Sequence, residues 1–482
     1  MTERDGKESE YTFKKSLNLL DSTAIVVGSM IGSGIFIVAA EMSRTLGSPG
    51  WLLIAWAIAG VMTIIGALSY GELAAMMPHA GGQYVYLREA YNPLTGFLYG
   101  WTLFLVIQTG TIAAVAMAFA KFTGVLIPWF SESNIYFQFG YIKLNTVQLL
   151  AIASIVILTL INLRGVSKAK VVQNIFTFTK VAALVGLIAA GLFFARSALA
   201  HTANAKIFWE ILPVGASSPV TGIAIITVLG TAMVGSIFAS VAWDNITFTA
   251  GEVINPKKNI PLSLFFGTTI VVLIYILANY VYVSILPLRG LQAGATVYER
   301  GIQFAQNDRV GTSAMSIIFG NYAAIIMAIF IMISTFGCNN GLILGGARVY
   351  YAMAKDGLFF KKTGILNNKS VPGNGLLIQC IWASLLCLSG TYTNLLDYVV
   401  FAVLLFYLLA ILSLFILRIK KPQAERPYKA FGYPLIPAIF IILAISEMII
   451  LLIYKPNYTW PGLIIVVLGI PAYFIWRRVN KK

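Results

Sequence analysis

The sequence predicts an all-α polytopic membrane protein of twelve transmembrane helices, on three observations. Of its 482 residues, 59% are apolar and only 11% are charged, whereas an ordinary soluble domain carries about 25% charge. The mean hydropathy is +0.83. Apolar runs recur along the whole chain, each near the roughly 20 residues that cross about 30 Å of hydrocarbon. So little charge could not cover the surface of a soluble protein this size, and the soluble classes are excluded.

Segment 1–18 is polar, with four acidic and four basic residues. It lacks a short apolar run with a cleavage site, so it reads as a cytoplasmic tail and not a signal peptide. Apolar runs follow at about 19–40, 50–77, 94–120, 147–163, 171–195, 221–250, 262–286, 314–353, 374–390, 395–417, 433–453 and 460–476. Several exceed 25 residues, which tilt accommodates. Segment 477–482 is a short cytoplasmic C-terminus. The longest loops, near 121–146, 196–220 and 287–313, are about 25 residues each. None holds a separate catalytic domain, and the spans carry no cluster of nucleophiles, so an enzyme is not expected. Cys338, Cys380 and Cys387 all lie in apolar stretches, and the histidines, His79 and His201, are far apart. No disulfide framework, metal site or cofactor is expected.

Lys and Arg number 34 against 18 Asp and Glu, a net charge of +16. In a soluble chain this would suggest nucleic acid. With residue 1 inside, 24 of the 34 basic residues fall on the inner side and 9 on the outer. That asymmetry predicts both termini in the cytoplasm, and it removes the need for nucleic acid.

Span 1 contains Gly28-Ser29-Met30-Ile31-Gly32-Ser33-Gly34, three glycines and two serines where continuous helix is disfavoured. Irregular backbone at membrane depth is tolerated where protein buries it or a wet cavity needs it. A break here exposes N–H groups of one half-helix and C=O groups of the other, a pair complementary to a zwitterion. Close packing through small residues is the competing account of Gly32 and Gly34. Span 6 carries Phe238-Ala239-Ser240-Val241-Ala242-Trp243-Asp244-Asn245, and two polar residues in mid-membrane imply a cavity or partners. A second interrupted span at the matching position signals an inverted repeat, with 19–195 and 221–417 as five-helix halves and 433–476 as helices 11 and 12.

The runs GSMIGSGIF, SYGELAAMMPHAGGQYVYLREAY (Ser69 to Tyr91) and AGEVINPKKNIPLSL (Ala250 to Leu264) resemble the amino acid–polyamine–organocation (APC) transporter superfamily. Within it, they are similar to bacterial relatives of the L-type amino acid transporters, in order and spacing along nearly the whole chain. The resemblance implies a LeuT-type fold with substrate held between broken helices 1 and 6 by alternating access, and its bacterial look implies a cell (inner) membrane location. By position it assigns backbone contacts with the substrate's ammonium and carboxylate to Met30, Ile31, Ser33 and Gly34, and it makes Phe238 the aromatic gate towards the outside; Gly32, Ala239, Val241 and Asp244 complete the expected substrate-binding residues. Where L-type relatives have glycines after the gate, this chain has Val241 and Ala242, which favour smaller substrates. Asp244 stands where an amide is common. No cysteine lies between spans 3 and 4, where animal L-type subunits link to a heavy chain, so no disulfide-linked heavy chain is expected.

Lys180 lies about ten residues inside span 5, where a charge marks function unless it snorkels to an interface. By resemblance, a lysine here takes the place of a sodium ion in sodium-coupled relatives. Transport is then sodium-independent, with Lys180 either a fixed cation or a proton carrier. Asn339, Asn340, Ser334 and Thr335 are expected to form a polar stripe facing Lys180, or hydrogen bonds between helices. Glu72 and Glu252 are expected to pair near Arg88, Lys257 and Lys258 at the inner end. Glu447 in span 11 is isolated and has no assigned role. The expected function is an amino acid exchanger or proton-linked carrier for small or medium neutral L-amino acids, in contact with membrane lipid. The alternatives are a cationic amino acid or polyamine carrier with Asp244 as counter-charge, and a sensor on the same scaffold, against which the short tails argue. A channel is disfavoured because no charged ring or filter sequence appears.

Overall fold

The computed structural model describes residues 11–139, 142–194, 197–388 and 392–479. Residues 1–10 of the expected tail, residues 480–482 of the C-terminal segment, and Arg196 lie outside the described residues. Reciprocal capping opens the first helix: the Asn18 side chain accepts from Asp21 N at 2.9 Å, and the Asp21 carboxylate accepts from Asn18 N at 3.1 Å. α1 (Leu19–Met30) and α2 (Gly34–Leu46) form one apolar span bent by 40°. α3 (Pro49–Met76) starts on a Ser48 cap with proline in its first turn. α4 (Gln83–Ala90) is short. α5 (Pro93–Thr102) and α6 (Gln108–Leu126) are joined by a π turn at Leu103–Ile107.

The antiparallel pair β1 (Ile135–Phe139) and β2 (Ile142–Asn145) is an exception to the all-helical expectation. α7 (Thr146–Leu163) and α8 (Val166–Phe194) follow, then the short α9 (Ala198–Lys206). α10 (Ala224–Ala239) and α11 (Asn245–Phe248) occupy the sixth span. α12 (Pro256–Ile285), α13 (Val297–Arg300), α14 (Val310–Phe319), α15 (Ala323–Lys355), α16 (Gly373–Leu388), α17 (Tyr392–Lys420), α18 (Leu435–Tyr454) and α19 (Pro456–Val479) complete the chain.

Among the described residues, nine helices are long and apolar enough to cross a membrane, ten with the bent pair. The shorter apolar helices α10 and α16 stand at the sixth and ninth expected places. The eighth expected run, 314–353, lies within one candidate span, Val310–Lys355, inside which a turn at Gly320–Tyr322 separates α14 from α15, with Gly320 at φ 56°. Hydropathy continues across that turn, so the apolar run does not reveal it.

The surface of the helices is apolar where a soluble fold would be polar, and a largely apolar interior also encloses a few charged and polar side chains. Ile442, Ile445, Ile449 and Ile453 of α18 are exposed, while Lys180, Gln173, Asn340 and Arg348 are buried. Lipid-facing apolar residues around an interior that conceals charge are what a membrane solvent selects. α1 packs against α8, α12 and α15, and α2 against α10, which brings the two interrupted spans side by side.

Candidate functional site

α1 ends at Met30, and Ile31 is extended at φ −77° and ψ 99°. The break falls inside the glycine-serine run, where helix propensity is lowest. α10 ends at Ala239 and helix resumes at Asn245. Between them Ala242 sits at φ 68°, a left-handed conformation that only glycine adopts without strain. Gly34 lies at the meeting point. A Cβ added there would stand 3.0 Å from the Ala239 Cβ, so its missing side chain lets the start of α2 touch the end of α10.

Breaking α1 frees a row of carbonyls, and almost every one has a donor. Lys180 Nζ donates to Gly28 O at 2.8 Å, Ile31 O at 2.7 Å and Ser334 O at 3.0 Å. Those bonds use all three of its protons. Cys338 Sγ donates to Ser29 O at 3.1 Å. Ser334 Oγ lies 3.1 Å from Ile31 O and 3.0 Å from Gly32 O. Tyr275 Oη lies 3.1 Å from both Met30 O and Ala239 O, the last carbonyls of α1 and α10, and its single proton serves one at a time. The opposite end differs: Ser33 makes no capping bond, and among the described residues no side chain caps the N-terminus of α2. An uncapped helix N-terminus attracts an anionic group.

A cavity opens between the two breaks, lined by Met30, Gly32, Ser33, Gly34, Phe238, Ala239 and Val241, with Thr111 and Cys338. Two expected site residues do not line it. Ile31 has a buried side chain and offers its carbonyl to Lys180. Asp244 opens onto a neighbouring cavity with Gln83, Tyr99, Gln108, Asn245 and Tyr407. Thr111, Val241 and Ala242 line both cavities and form the partition. Asp244 Oδ1 accepts from Tyr407 Oη at 2.8 Å.

Several expected partners are corrected. Of the residues expected either to face Lys180 as a stripe or to bond between helices, only Ser334 bonds Lys180, and the two asparagines bond between helices. Asn339 donates to Ile112 O at 3.2 Å, Asn340 donates to Ala169 O and Gln173 Oε1, and Thr335 bonds within its own helix. Neighbouring helix positions point about 100° apart, so adjacent asparagines reach different helices. Glu72 is held by Arg418 at 2.6 Å and Arg426 at 3.2 Å. Glu252 pairs with Arg348 at 2.9 Å. Arg88 pairs with Asp356 and Glu89, and Lys257 with Glu425. The Lys421 ammonium holds the Glu89 carboxyl below the usual carboxylate range.

Two residues had escaped the sequence reading. Arg348, inside the expected eighth run, is fully buried in α15 and also donates to Leu344 O at 2.6 Å. Tyr275 is one aromatic among many, with no local signal. The Glu252 backbone also accepts from Ser16 N and Leu17 N, and Ile254 N donates to Leu17 O. The residues before α1 are thereby fastened to the segment after α11.

Comparison with known proteins places this geometry in a family. The large neutral amino acids transporter small subunit 2 of Mus musculus is 30% identical over 480 residues, covering 97% of this chain and 82% of that protein. The cystine/glutamate transporter of Homo sapiens is 28% identical over 477 residues, covering 98% and 88%. The b(0,+)-type amino acid transporter 1 of Oryctolagus cuniculus is 30% identical over 420 residues, covering 87% and 79%. The family model described as amino acid permease matches residues 17–473, which takes in both breaks, Lys180 and every helix packed around them: the chain belongs to the amino acid permease family.

Proposed function

We propose that the protein carries small or medium neutral L-amino acids across a cell (inner) membrane by alternating access, without sodium, as an exchanger or a proton-linked carrier. The observation that carries this reading is the cavity between the two breaks, with the uncapped N-terminus of α2 at its wall. An amino acid's carboxylate suits that N-terminus, and its ammonium suits the carbonyls at the ends of α1 and α10, each of which keeps a second lone pair. Phe238 closes the cavity towards the outside. Val241 and Ala242 fill room beside the side chain and favour small substrates. Lys180 supports sodium independence, because its ammonium already holds three carbonyls around the break.

The same reading takes the chain as twelve spans in a LeuT-type 5+5 inverted repeat plus two helices, both termini in the cytoplasm, and no disulfide-linked heavy chain. Relatives named for large neutral amino acids and for cystine and glutamate support amino acids as the cargo. A cationic amino acid or polyamine is the second reading, favoured by one observation: the Asp244 carboxyl is buried just beyond the Val241–Ala242 partition.

Radiolabelled uptake into liposomes holding the purified protein tests the proposal. Each amino acid is offered in sodium-free buffer, with empty or preloaded lumens, with and without an inward proton gradient. Uptake of small neutral amino acids is expected; no uptake of any amino acid would overturn the reading.

A further inference from the structure

Glu447 of α18 is 4% exposed, and its Oε1 has no hydrogen-bond partner among the described residues. Its Oε2 rests against α10: a Cβ added at Gly230 would stand 3.2 Å from it, beside Ile450. At 1.5 Å per residue, Glu447 lies roughly 10 Å along α18 from Tyr454 and roughly 18 Å from Leu435. The carboxyl is therefore at membrane depth.

Among the described residues, no charged partner meets it there. The elements packed against α18 are α3, α10, α17 and α19. α10 contains no titratable residue. On α3, Glu72 is held by Arg418 and Arg426, and Tyr70 packs against Trp243 and Tyr407. On α17, Tyr407 donates to Asp244 and Lys420 to Ala90 O. On α19, Tyr473 packs against Phe97, and Arg477 and Arg478 lie in its last turn. On α18 itself the other ionisable side chain is Tyr454, and Lys455 beyond it pairs with Glu41.

An ionised carboxylate so buried would have no counter-charge among the described residues and little access to water. A metal cation needs several oxygen ligands, and one carboxyl beside Gly230 and Ile450 cannot supply them; the described residues contain no group of three His, Cys, Asp or Glu that could hold a metal. A proton is the ligand that fits. α10 also carries Phe238 and ends at Ala239 in the candidate site, nine residues and roughly 13 Å from Gly230.

We propose that Glu447 is a proton-binding site of the carrier, loaded while its carboxyl packs on Gly230 and emptied when α10 shifts and admits water. On release the carboxyl O–H bond breaks, the electron pair stays on the carboxylate, and the proton passes to the entering water. The proposal rests on the proton-linked form of the function proposed above and gives that coupling a residue.

Two measurements on the full-length protein in liposomes test it. A hydrophobic carbodiimide adds to protonated carboxyls buried in membranes. Digestion and mass spectrometry are expected to find the adduct at Glu447, declining as pH rises. Uptake of radiolabelled L-alanine is then measured with and without an inward proton gradient. The ratio of the two rates is expected to exceed one in the wild-type protein and to fall to one in Glu447→Gln. If that variant cannot be recovered, Glu447→Asp keeps an acid one methylene shorter, and a shifted pH dependence of its gradient response is expected. An unmodified Glu447, a wild-type protein indifferent to the gradient, a Gln variant that responds like wild type, or an Asp variant with an unshifted dependence overturns the proposal. Should no amino acid move at all, the transport reading fails, and the labelling alone decides whether Glu447 holds a proton.

Discussion

The Lys180 ammonium donates to the carbonyl oxygen of Ile31 at 2.7 Å, which fixes the one extended residue at the end of α1 to the middle of α8. Two more bonds, to Gly28 O and Ser334 O, make the same ammonium a three-way tie between α1, α8 and α15. Removing it leaves buried carbonyls short of a donor, at about 1–3 kcal/mol for each one left unsatisfied.

Lys180→Met keeps the length of the side chain and discards the donors. Transport in liposomes is expected to be lost, with a fall in the thermal stability of the purified protein. Wild-type uptake by this variant would remove Lys180 from the mechanism. Wild-type uptake is also expected to be equal in sodium and in choline buffers.

Tyr275→Phe removes one hydroxyl from between Met30 O and Ala239 O. The cost is about 1–3 kcal/mol, and it falls on the two breaks together. Slower exchange is expected, with an intact fold by size-exclusion profile. An unchanged exchange rate would mean that the two helix ends move independently of this bond.

Local signals made part of this molecule legible in its sequence. The glycine-serine run marks the break after Met30 because low helix propensity is a property of those residues themselves. Lys180 stands out because a charge inside an apolar run has few innocuous explanations. Partnership was not legible. Asn339 and Asn340 are neighbours in sequence, yet one reaches α6 and the other α8, because helix phase and axial placement decide direction. The separation of Asp244 from the first cavity depends on a left-handed Ala242, a residue with no intrinsic preference for that conformation. The β1–β2 pair and the Gly320 turn were missed because neither changes the apolar count of its segment.

Asp244→Asn keeps an acceptor for the Tyr407 hydroxyl and removes the negative charge. Neutral amino acid uptake is expected to persist within a few-fold of wild type. Uptake of lysine or a polyamine by the wild-type protein, abolished in the variant, would move the substrate assignment to the cationic class.

Val241→Gly combined with Ala242→Gly opens the partition between the two cavities. Ala242 at φ 68° carries strain of roughly 1–2 kcal/mol, and glycine relieves it, so the double variant is expected to fold. Bulky neutral amino acids such as L-phenylalanine should then compete for L-alanine uptake more strongly than in wild type. Unaltered competition would show that these two side chains do not set the size limit.

Glu252 and Arg348 form the most enclosed ion pair among the described residues, at 1% and 0% side-chain exposure and 2.9 Å apart. Removing one partner strands the other's charge in the interior, at about 3–5 kcal/mol. Arg348→Met is expected to lower thermal stability and to weaken the attachment of residues 16 and 17 to the Glu252 backbone. Adding Glu252→Gln to Arg348→Met removes the stranded charge, so stability should return in part. Protease sensitivity ahead of α1 should nevertheless stay above wild type, because the Arg348 anchor is gone. Equal stability of the single and double variants would mean that the Glu252 carboxylate finds water or another cation once Arg348 is removed.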